Sequence, residues 1–273
     1  MQSASTVTPN NVLLDNQFEL YVINLDRSKE RWEKIYDHLN AYGLSPQRIS
    51  AVDAKITPKE ELHRHYSVSL NEANFFINLK PAEIGCFLSH RNALKKFVDE
   101  SHKPYAIILE DDVEFAADPK VFLQQWAQVL NRASPTMLKL FKRRPISGEQ
   151  RCHTMIEGFS DHCVSRILRP KLVPLGTQGQ IVNRAGAVKL LSATDSFCMP
   201  VDVAYQHFWQ HGCEVLVATP NQINEISQVV GGTNIGGSQG LTLGFKIRRE
   251  IGRSWFRLKL KLVSLWHYYR VTQ

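Results

Sequence analysis

The sequence predicts an α/β fold in which helices cover a mainly parallel central sheet. Segments with strand character alternate with segments of helical periodicity, which is typical of layered α/β proteins. The run 105–109, YAIIL, is entirely apolar or aromatic, as expected for a strand buried on both faces of a parallel sheet. The 273 residues, 43% of them hydrophobic, suffice for one sizeable domain or two small ones.

The first half of the chain begins with a predicted strand over 18–25. The helix that follows has four residues on one face: Trp32, Ile35, Tyr36 and Leu39. A second strand is predicted over 47–52, and a short helix begins at Thr57, where the residues fit a capping box with proline at the first helical position. From Pro81 a longer helical pattern leads directly into the strand 105–109.

The second half continues the alternation of helices and strands. Helices are predicted over 118–131, 183–191 and 201–210, and strands over 137–141, 178–182 and 215–218. The stretch 142–173 is basic and irregular, and its pattern predicts neither a helix nor a strand.

Three acids, Glu110, Asp111 and Asp112, follow the strand 105–109 directly. Carboxylates beside an apolar core are costly unless a cation neutralises them, and hard divalent ions prefer oxygen ligands. Ligands of open α/β sheets bind beyond the carboxyl ends of the strands. The triplet therefore predicts a divalent metal site that holds a phosphorylated ligand, and the alternative is an acidic turn after a core strand.

The net charge of +7 is concentrated in residues 241–273, which hold eight basic residues and one acid. The remaining 240 residues carry 25 basic and 25 acidic side chains, so a neutral domain precedes a basic tail. In the tail, one helical stripe contains Ile251, Trp255, Leu258, Leu262, Leu265 and Tyr269. A basic amphipathic helix of this kind suits an anionic membrane surface better than nucleic acid. The alternative is that the helix packs on the domain, or on a second chain, through the same stripe.

These patterns divide the chain into a flexible segment 1–17, a globular domain 18–229, a glycine-rich hinge 230–240 and the basic amphipathic helix 241–273. The five cysteines are an odd number without a CxxC pair, which favours reduced thiols in a reducing compartment. Neither a secretory signal nor a run of 18 apolar residues is evident, so we expect a cytoplasmic protein.

Six blocks of the sequence together resemble glycosyltransferase family 25. They are VINLDRSKERW (22–32), AVDA (51–54), LKPAEIGCFLSHRNAL (79–94), AIILEDDVEF (106–115), GTQGQIVNRAGAVKLL (176–191) and PVD (200–202). The family contains lipopolysaccharide and lipo-oligosaccharide galactosyltransferases of Gram-negative bacteria, which are relatives of the collagen galactosyltransferase. The blocks occur in the family's order over about 20–225, and the GCxLSH and LEDDV blocks are the specific ones.

The resemblance implies a single Rossmann-like domain of the GT-A type, which binds a nucleotide sugar and inverts the anomeric carbon. UDP-galactose is the commonest donor, and Mn²⁺ or Mg²⁺ is the expected cofactor. Glu110 and Asp112 resemble the outer members of a DxD motif, with Asp112 as the direct metal ligand. We therefore expect a peripheral protein on the inner face of the bacterial inner membrane that transfers a hexose to a lipo-oligosaccharide core. The alternative is a non-catalytic relative that binds nucleotide sugars or carbohydrates.

The donor site is expected to include twelve residues, which lie at the end of the first strand, in the blocks that resemble the family and in the glycine-rich turn. They are Asn24, Asp26, Arg27, Arg31, Asp53, Ser89, His90, Asp111, Gly176, Thr177, Gln178 and Gly179. Arg27 or Arg31 would meet a diphosphate, and the alternative for both is a solvated helix start. Ser89 and His90 have the alternative of polar groups satisfied within the core. Gln180 stands where the family often carries tyrosine, which bears on sugar preference.

Inverting transfer requires one carboxylate to accept the proton of the acceptor hydroxyl. Asp202, at the start of a predicted helix, is the first candidate for this general base. An acid at a helix N-terminus also stabilises the helix, which is the alternative explanation for Asp202. Glu225 and Asp53 are the runners-up.

Overall fold

The structure is a computed structural model that describes residues 16–130, 134–146, 149, 152–160, 163–226 and 243–272. The predicted flexible segment 1–17 lies outside the described residues except for its last two positions. The predicted hinge 230–240 lies wholly outside them.

An eight-stranded sheet forms the centre of the domain, in the order β2-β1-β3-β8-β5-β9-β7-β6. Its strands are β1 (Phe18–Asn24), β2 (Gln47–Ser50), β3 (Tyr105–Glu110), β5 (Thr136–Lys139), β6 (His153–Ser160), β7 (Cys163–Arg169), β8 (Gly179–Asn183) and β9 (Glu214–Thr219). β8 is antiparallel to both of its neighbours, and so is β7, whereas the other pairs are parallel. Six of the eight strands thus point in one direction, which confirms the mainly parallel sheet.

Helices lie on both faces of this sheet. They are α1 (Lys29–Ala41), α2 (Lys59–Leu62), α3 (Val68–Asn74), α4 (Pro81–Glu100), α5 (Pro119–Leu130), α6 (Arg184–Ala193), α7 (Val201–Gln206), α8 (Phe208–His211) and α9 (Leu243–Thr272). Side chains of α1 and α5 share one hydrophobic core with the sheet, and side chains of α4, α6 and α7 share the other. The chain therefore has the three layers expected of an α/β fold.

Strand β3 lies between the two cores because its side chains alternate between them. Ile107 and Leu109 belong to one core and Ala106 and Ile108 to the other, and all four are almost fully buried. Burial on both faces explains why residues 105–109 are continuously apolar. The carboxyl end of β3 consequently reaches the edge of the sheet with Glu110 half-exposed.

The stretch 142–173 is not irregular, and this prediction is wrong. It contains the hairpin of β6 and β7, which joins the sheet through β9. The hairpin escapes sequence analysis because its strands, HTMIEGFS and CVSRILR, mix polar and apolar residues without regular alternation. A second, two-stranded sheet of β4 (Val113–Phe115) and β10 (Ile223–Glu225) was also not predicted, because each strand has only three residues.

The predicted helix 201–210 is likewise wrong as a single element. It is divided at His207 into α7 and α8, and α8 ends at Gly212, which adopts a positive φ of 65°. Cys86, Cys152, Cys198 and Cys213 are free thiols.

Gly85 allows α4 to approach the chain segment that follows β2. A Cβ atom at this position would lie 2.6 Å from the Val52 carbonyl oxygen, which is closer than packing permits. The contact brings Ser89, one turn further along α4, to the backbone of the same segment: the Val52 N–H donates to the Ser89 hydroxyl at 2.9 Å. Close packing here sets the position of α4 beside the carboxyl ends of β1 and β3.

The C-terminal helix α9 is present and 30 residues long. In the part of the chain that the structure describes, no helix combines the length and apolarity needed to cross a membrane. The side of α9 that contains Leu260, Ser264 and Tyr268 is buried against the domain. The predicted alternative, packing on the domain through the apolar stripe, is therefore wrong, because most of that stripe faces away.

Candidate active site

The middle acid of the triplet, Asp111, is held by two side chains from the β1–α1 region. Asn24 donates to one carboxylate oxygen at 2.7 Å, and Arg31 lies 3.2 Å from the other. Burial raises the pKa of Asp111, while Asn24 and Arg31 act in the opposite direction. The Arg31 side chain is only 10% exposed, so it is a buried partner of the triplet rather than a solvated residue at a helix start.

Glu110 is bound from two directions. The Thr177 hydroxyl donates to Glu110 Oε1 at 2.7 Å, and His90 Nε2 lies 3.3 Å from the same oxygen. Burial by itself raises the pKa of Glu110, but the hydrogen bonds with His90 and Thr177 outweigh it, and the pKa is lowered. Glu110 is therefore ionised and oriented toward α4 and the turn before β8.

Asp112 differs from its two neighbours because one of its oxygens is left without a partner. Oδ1 is buried and, among the residues that the structure describes, has no hydrogen-bond partner, while Oδ2 lies 4.0 Å from Arg31. Burial, together with the charges of Glu110 and Asp111, raises the pKa of Asp112 to about 7. A buried acceptor without a partner costs free energy, so this carboxylate suits a bound cation.

Asp202 is joined to Glu110 through the turn that precedes β8. The Gly176 N–H donates to Asp202 Oδ2 at 3.2 Å, and the next residue, Thr177, holds Glu110. Gly176 adopts a positive φ of 103°, and a Cβ atom there would lie 2.5 Å from the Gln178 side chain. This turn therefore requires glycine and brings the candidate base to the same site as the acidic triplet.

Glu225 also lies beside the triplet. Its strand pairs with β4 so that Glu225 is opposite Val113, and the next N–H, that of Ile226, donates to the Asp112 carbonyl at 2.8 Å. Arg143 binds the Glu225 carboxylate at 3.0 Å. The charge of Glu225 contributes to the raised pKa of Asp112.

Asp53 and Asp26 are each paired with a different arginine. Arg27 donates to Asp53 at 2.6 Å. Burial raises the pKa of Asp53, but the Lys55 N–H and Arg27 outweigh it, and the pKa is lowered. Asp26 is paired with Arg48 at 2.8 Å. The two candidate bases therefore have different partners: Asp53 binds Arg27, a predicted donor-binding residue, and Asp202 binds the turn at Gly176.

Ser89 and His90 have different surroundings although they are neighbours on α4. The Ser89 hydroxyl donates to the Gly85 carbonyl at 2.7 Å and accepts from the Val52 N–H, so both of its bonds lie within the protein. His90 Nδ1 lies 3.1 Å from the Gln180 amide, and its other nitrogen contacts Glu110. Gln178 and Gln180 each have a buried side-chain oxygen without a partner among the described residues.

Lys139 is a charged residue of the site that sequence analysis missed. Its side chain is fully buried in β5, and its ammonium donates to the Pro174 carbonyl, two residues before Gly176. Burial lowers its pKa to about 8, and attraction to Asp202 and Glu110 acts in the opposite direction. A lone lysine within the apolar strand MLKLF was the available signal, because a buried charge there requires a partner.

The donor atoms of the site indicate which kind of metal they suit. Cys86, His90 and Glu110 bring one sulfur, one nitrogen and one oxygen within 4.8 Å of one another. Burial raises the pKa of the Cys86 thiol well above its usual value, and a protonated thiol is a poor ligand. The carboxylates of the triplet are hard oxygen ligands. Asp112 offers an oxygen that has no hydrogen-bond partner among the described residues, so the residues fit Mn²⁺ or Mg²⁺.

The raised pKa of Asp112 predicts a specific dependence of stability on pH. A carboxyl group whose pKa is higher in the folded state stabilises the fold most below its unfolded pKa of 3.8, and this contribution is lost as pH rises through 7. In chelator, the free energy of unfolding should fall by about 2 kcal/mol between about pH 5.5 and pH 8 through this group. Denaturant titrations of the wild type and Asp112→Asn check this, since the substitution should remove that part of the fall. An equal fall in both proteins would contradict the assignment.

Comparison with known proteins identifies similar sequences over most of the chain. The model of the family described as glycosyltransferase family 25 (LPS biosynthesis protein) matches residues 17–205. A glycosyltransferase 25 family member of Drosophila melanogaster is 30% identical over 184 residues, which are 64% of this chain and 28% of that protein.

Two further relatives differ in what their names say of activity. Procollagen galactosyltransferase 1 of Danio rerio is 27% identical over 195 residues, which are 67% of this chain and 30% of that protein. The probable inactive glycosyltransferase 25 family member 3 of Bos taurus is 25% identical over 225 residues, which are 74% of this chain and 36% of that protein. The chain thus spans little more than a third, at most, of the length of these three relatives.

Proposed function

Since this chain belongs to glycosyltransferase family 25, we propose that it transfers galactose from UDP-galactose to a lipo-oligosaccharide core, with inversion and with the help of a divalent cation. The observation that carries the proposal is the buried Asp112 oxygen, which has no hydrogen-bond partner among the described residues and lies in a cluster of carboxylates at the end of β3. A cluster of this kind is expensive in a protein that binds no cation. The name of the zebrafish relative supports galactose as the donor sugar.

The donor nucleotide would bind at the carboxyl ends of β1 and β3, the position that open α/β sheets use for ligands. Asn24 and Arg31 already hold Asp111 there and set the wall of the site. Arg27 is 39% exposed in its side chain, so it is accessible to a diphosphate. Gly176, Thr177, Gln178 and Gly179 would line the sugar pocket.

Mn²⁺ or Mg²⁺ would be held by Asp112, with Glu110 as the second carboxylate of the motif. When bound, the ion would supply Lewis-acid stabilisation of the negative charge that develops on the leaving diphosphate. Glu110 is kept ionised by His90 and Thr177, and Asp111 is kept in place by Asn24 and Arg31. The protein thus prepares the carboxylates before any ligand arrives.

Asp202 is proposed as the general base. The acceptor hydroxyl oxygen forms a bond with the anomeric carbon, the bond from that carbon to the UDP oxygen breaks, and the hydroxyl proton passes to the Asp202 carboxylate. The Gly176 N–H fixes the orientation of this carboxylate in the folded protein. The same turn positions Thr177, so the base and the metal-binding acids are held by adjacent residues.

Lys139→Met is expected to reduce transfer by about tenfold or more, because the site loses the buried cation beside Asp202 and Glu110 and the bond that holds Pro174. The measurement is the initial rate of UDP release. Lys142→Met is the matched control: the side chain of this lysine is also largely buried, but it binds Thr219 and not the residues around Asp202 and Glu110. Equal rates in the two variants would contradict a role for Lys139.

The acceptor is proposed from the description of the family as lipopolysaccharide biosynthesis proteins and from the basic amphipathic helix. The name of the procollagen galactosyltransferase suggests procollagen as the other class of acceptor. Transfer of labelled galactose to de-acylated core oligosaccharide, with a procollagen peptide in parallel, separates the two. The proposal expects a labelled oligosaccharide, and labelling of the peptide alone would replace the proposed acceptor. A cytoplasmic location at the inner face of the bacterial inner membrane follows from this acceptor.

A second candidate function is binding without catalysis, as in a relative that has lost activity. The cattle relative described as probable inactive favours it. The presence of Asp112 beside Glu110, and of Asp202 joined to Glu110 through one turn, favours an active enzyme instead. The non-catalytic candidate predicts tight UDP binding with no UDP release in the presence of any acceptor.

A further inference from the structure

The outer side of α9 carries a row of large apolar side chains that the described part of the domain leaves exposed. We call this row the outer stripe, and its residues are Ile251, Trp255, Leu258, Leu262, Trp266 and Tyr269. These side chains are between 49% and 68% exposed. At 3.6 residues per turn they occupy one face along more than half of the helix. Exposed apolar surface of this extent marks an interaction site.

The opposite side of α9 is fixed to the domain. Gly252 lies against Phe76, where a Cβ atom would be 2.8 Å from the Phe76 side chain. Phe256 contacts Phe75 with ring centroids 5.2 Å apart, and His267 stacks on Trp209 at 5.4 Å. The outer stripe is therefore presented outward by a helix whose inner side is already packed.

Basic residues border the outer stripe on both sides. Lys259 and Arg270 lie along one edge, and Lys261 lies along the other; all three are exposed. The Arg270 guanidinium stands 4.6 Å from the centre of the Trp266 ring. Glu250, the one acid of the helix, is paired with Arg249 and Arg253.

We propose that the outer stripe and its basic edges bind the surface of an anionic lipid bilayer, with α9 lying in the plane of the membrane. Apolar side chains enter the boundary between headgroups and acyl chains, and the basic side chains at the two edges meet the lipid phosphates. Tryptophan and tyrosine are enriched at this depth because their rings combine an apolar body with a polar group. The outer stripe therefore suits the apolar boundary of the acyl chains, and its basic edges suit the anionic headgroups.

A second copy of the chain fits this face less well. A twofold pair formed through the outer stripe would bring the basic edges of the two helices beside each other, and like charges there oppose association. An anionic bilayer neutralises the same edges. The charge pattern therefore favours lipid as the occupant.

The position of α9 connects membrane binding with the proposed transfer reaction. This connection rests on the proposed function. Phe256 of α9 contacts the His207 ring at 6.0 Å, and His207 directly follows the helix α7 that carries Asp202. The helix that carries the outer stripe thus packs next to the end of the helix that carries the candidate base.

Co-sedimentation of the full chain with vesicles of phosphatidylcholine, with or without phosphatidylglycerol, tests the proposal. We expect binding to the anionic vesicles, weaker binding to the neutral ones, and a loss of affinity as salt is raised. Trp255→Ser with Leu262→Ser should reduce the partition coefficient at least about tenfold. Lys259→Gln with Lys261→Gln should reduce it by about fivefold for each charge at low salt.

The matched controls are exposed residues elsewhere on the domain. Val188→Ser and the pair Lys34→Gln with Lys189→Gln change similar side chains on α6 and α1, and we expect them to bind vesicles like the wild type. UDP release with a soluble acceptor should be unchanged in all these variants. A loss of membrane binding can therefore be distinguished from a loss of transfer activity.

Four results would overturn the proposal. The first is absence of binding to anionic vesicles, and the second is binding that the stripe and edge variants leave unchanged. The third is a dimer in solution that the stripe variants dissociate, which would assign the face to a second copy. Preference for duplex nucleic acid over anionic vesicles would assign the basic edges to a different partner.

Discussion

Asp112→Asn is expected to abolish metal-dependent donor binding and to reduce transfer by about a thousandfold or more, which corresponds to several kcal/mol of lost transition-state stabilisation. The substitution keeps the size of the side chain but replaces one carboxylate oxygen by an amide nitrogen, which repels a cation. Calorimetric titration with UDP, in Mn²⁺ and in chelator, measures the effect. The wild type should bind UDP more tightly in Mn²⁺, and the variant should bind equally weakly in both.

The stability of Asp112→Asn separates this effect from misfolding. Because the pKa of Asp112 is raised to about 7, its charge destabilises the metal-free fold above neutral pH. The variant should therefore be at least as stable as the wild type at about pH 8 in chelator. Asp99→Asn, an exposed acid on α4, is the control for a general loss of charge. Retained Mn²⁺-dependent UDP binding in Asp112→Asn would contradict the metal assignment.

Asp202→Asn is expected to leave donor binding intact and to lower the transfer rate by about 10²- to 10⁴-fold, the usual contribution of a general base. Asparagine can still accept the hydrogen bond from the Gly176 N–H, so the turn should keep its structure. The measurements are UDP affinity in Mn²⁺ and the rate of UDP release with acceptor. The expected result is unchanged affinity with a much lower rate.

The two runner-up carboxylates provide the comparison for Asp202. Glu225→Gln loses a pair with Arg143, and Asp53→Asn loses a pair with Arg27. If either variant lost transfer while Asp202→Asn retained a near-normal rate, the base would have to be reassigned to that residue. Partial losses in all three would instead indicate that they act on donor binding, which the affinity measurements would show.

The main features of the fold could be predicted where a local residue pattern has a single physical explanation. Residues 105–109 are apolar because β3 is buried on both faces, and the acids follow because the strand ends at the edge of the sheet. The hairpin of β6 and β7 could not be predicted in this way. Its strands are stabilised by pairing with each other and, in the case of β7, with β9, and pairing between distant segments leaves no local pattern in the hairpin itself.

Some residues of the candidate site could likewise be predicted from the sequence, and others could not. The acidic triplet and Asp202 were identifiable because charge at a strand end or a helix start is visible locally. Arg31 lies in the body of α1, and only the approach of α1 to β3 brings it to Asp111. Lys139 could be assigned to the site only once β5 was known to pair with β8. The turn at Gly176, which precedes β8, binds Asp202. Contacts between distant segments determine these roles.

The C-terminal helix shows how periodicity identifies a face without identifying its partner. The predicted stripe is real, but Phe256 and Leu260, which lie off it, are the residues that pack on the domain. A helix with two apolar sides has no single amphipathic pattern, since one side serves the fold and the other faces outward. The sequence therefore predicted the outer face correctly but not the inner one.

UDP release from UDP-galactose and other UDP-sugars, with Mn²⁺ or with chelator and with core oligosaccharide as acceptor, tests whether this chain is a metal-dependent galactosyltransferase. We expect turnover with one sugar, galactose, that requires both the metal and the acceptor. Tight metal-dependent UDP binding without turnover on any acceptor would favour the non-catalytic candidate. The absence of UDP binding under all conditions would contradict the assignment of Asp112 and its neighbours as a donor site.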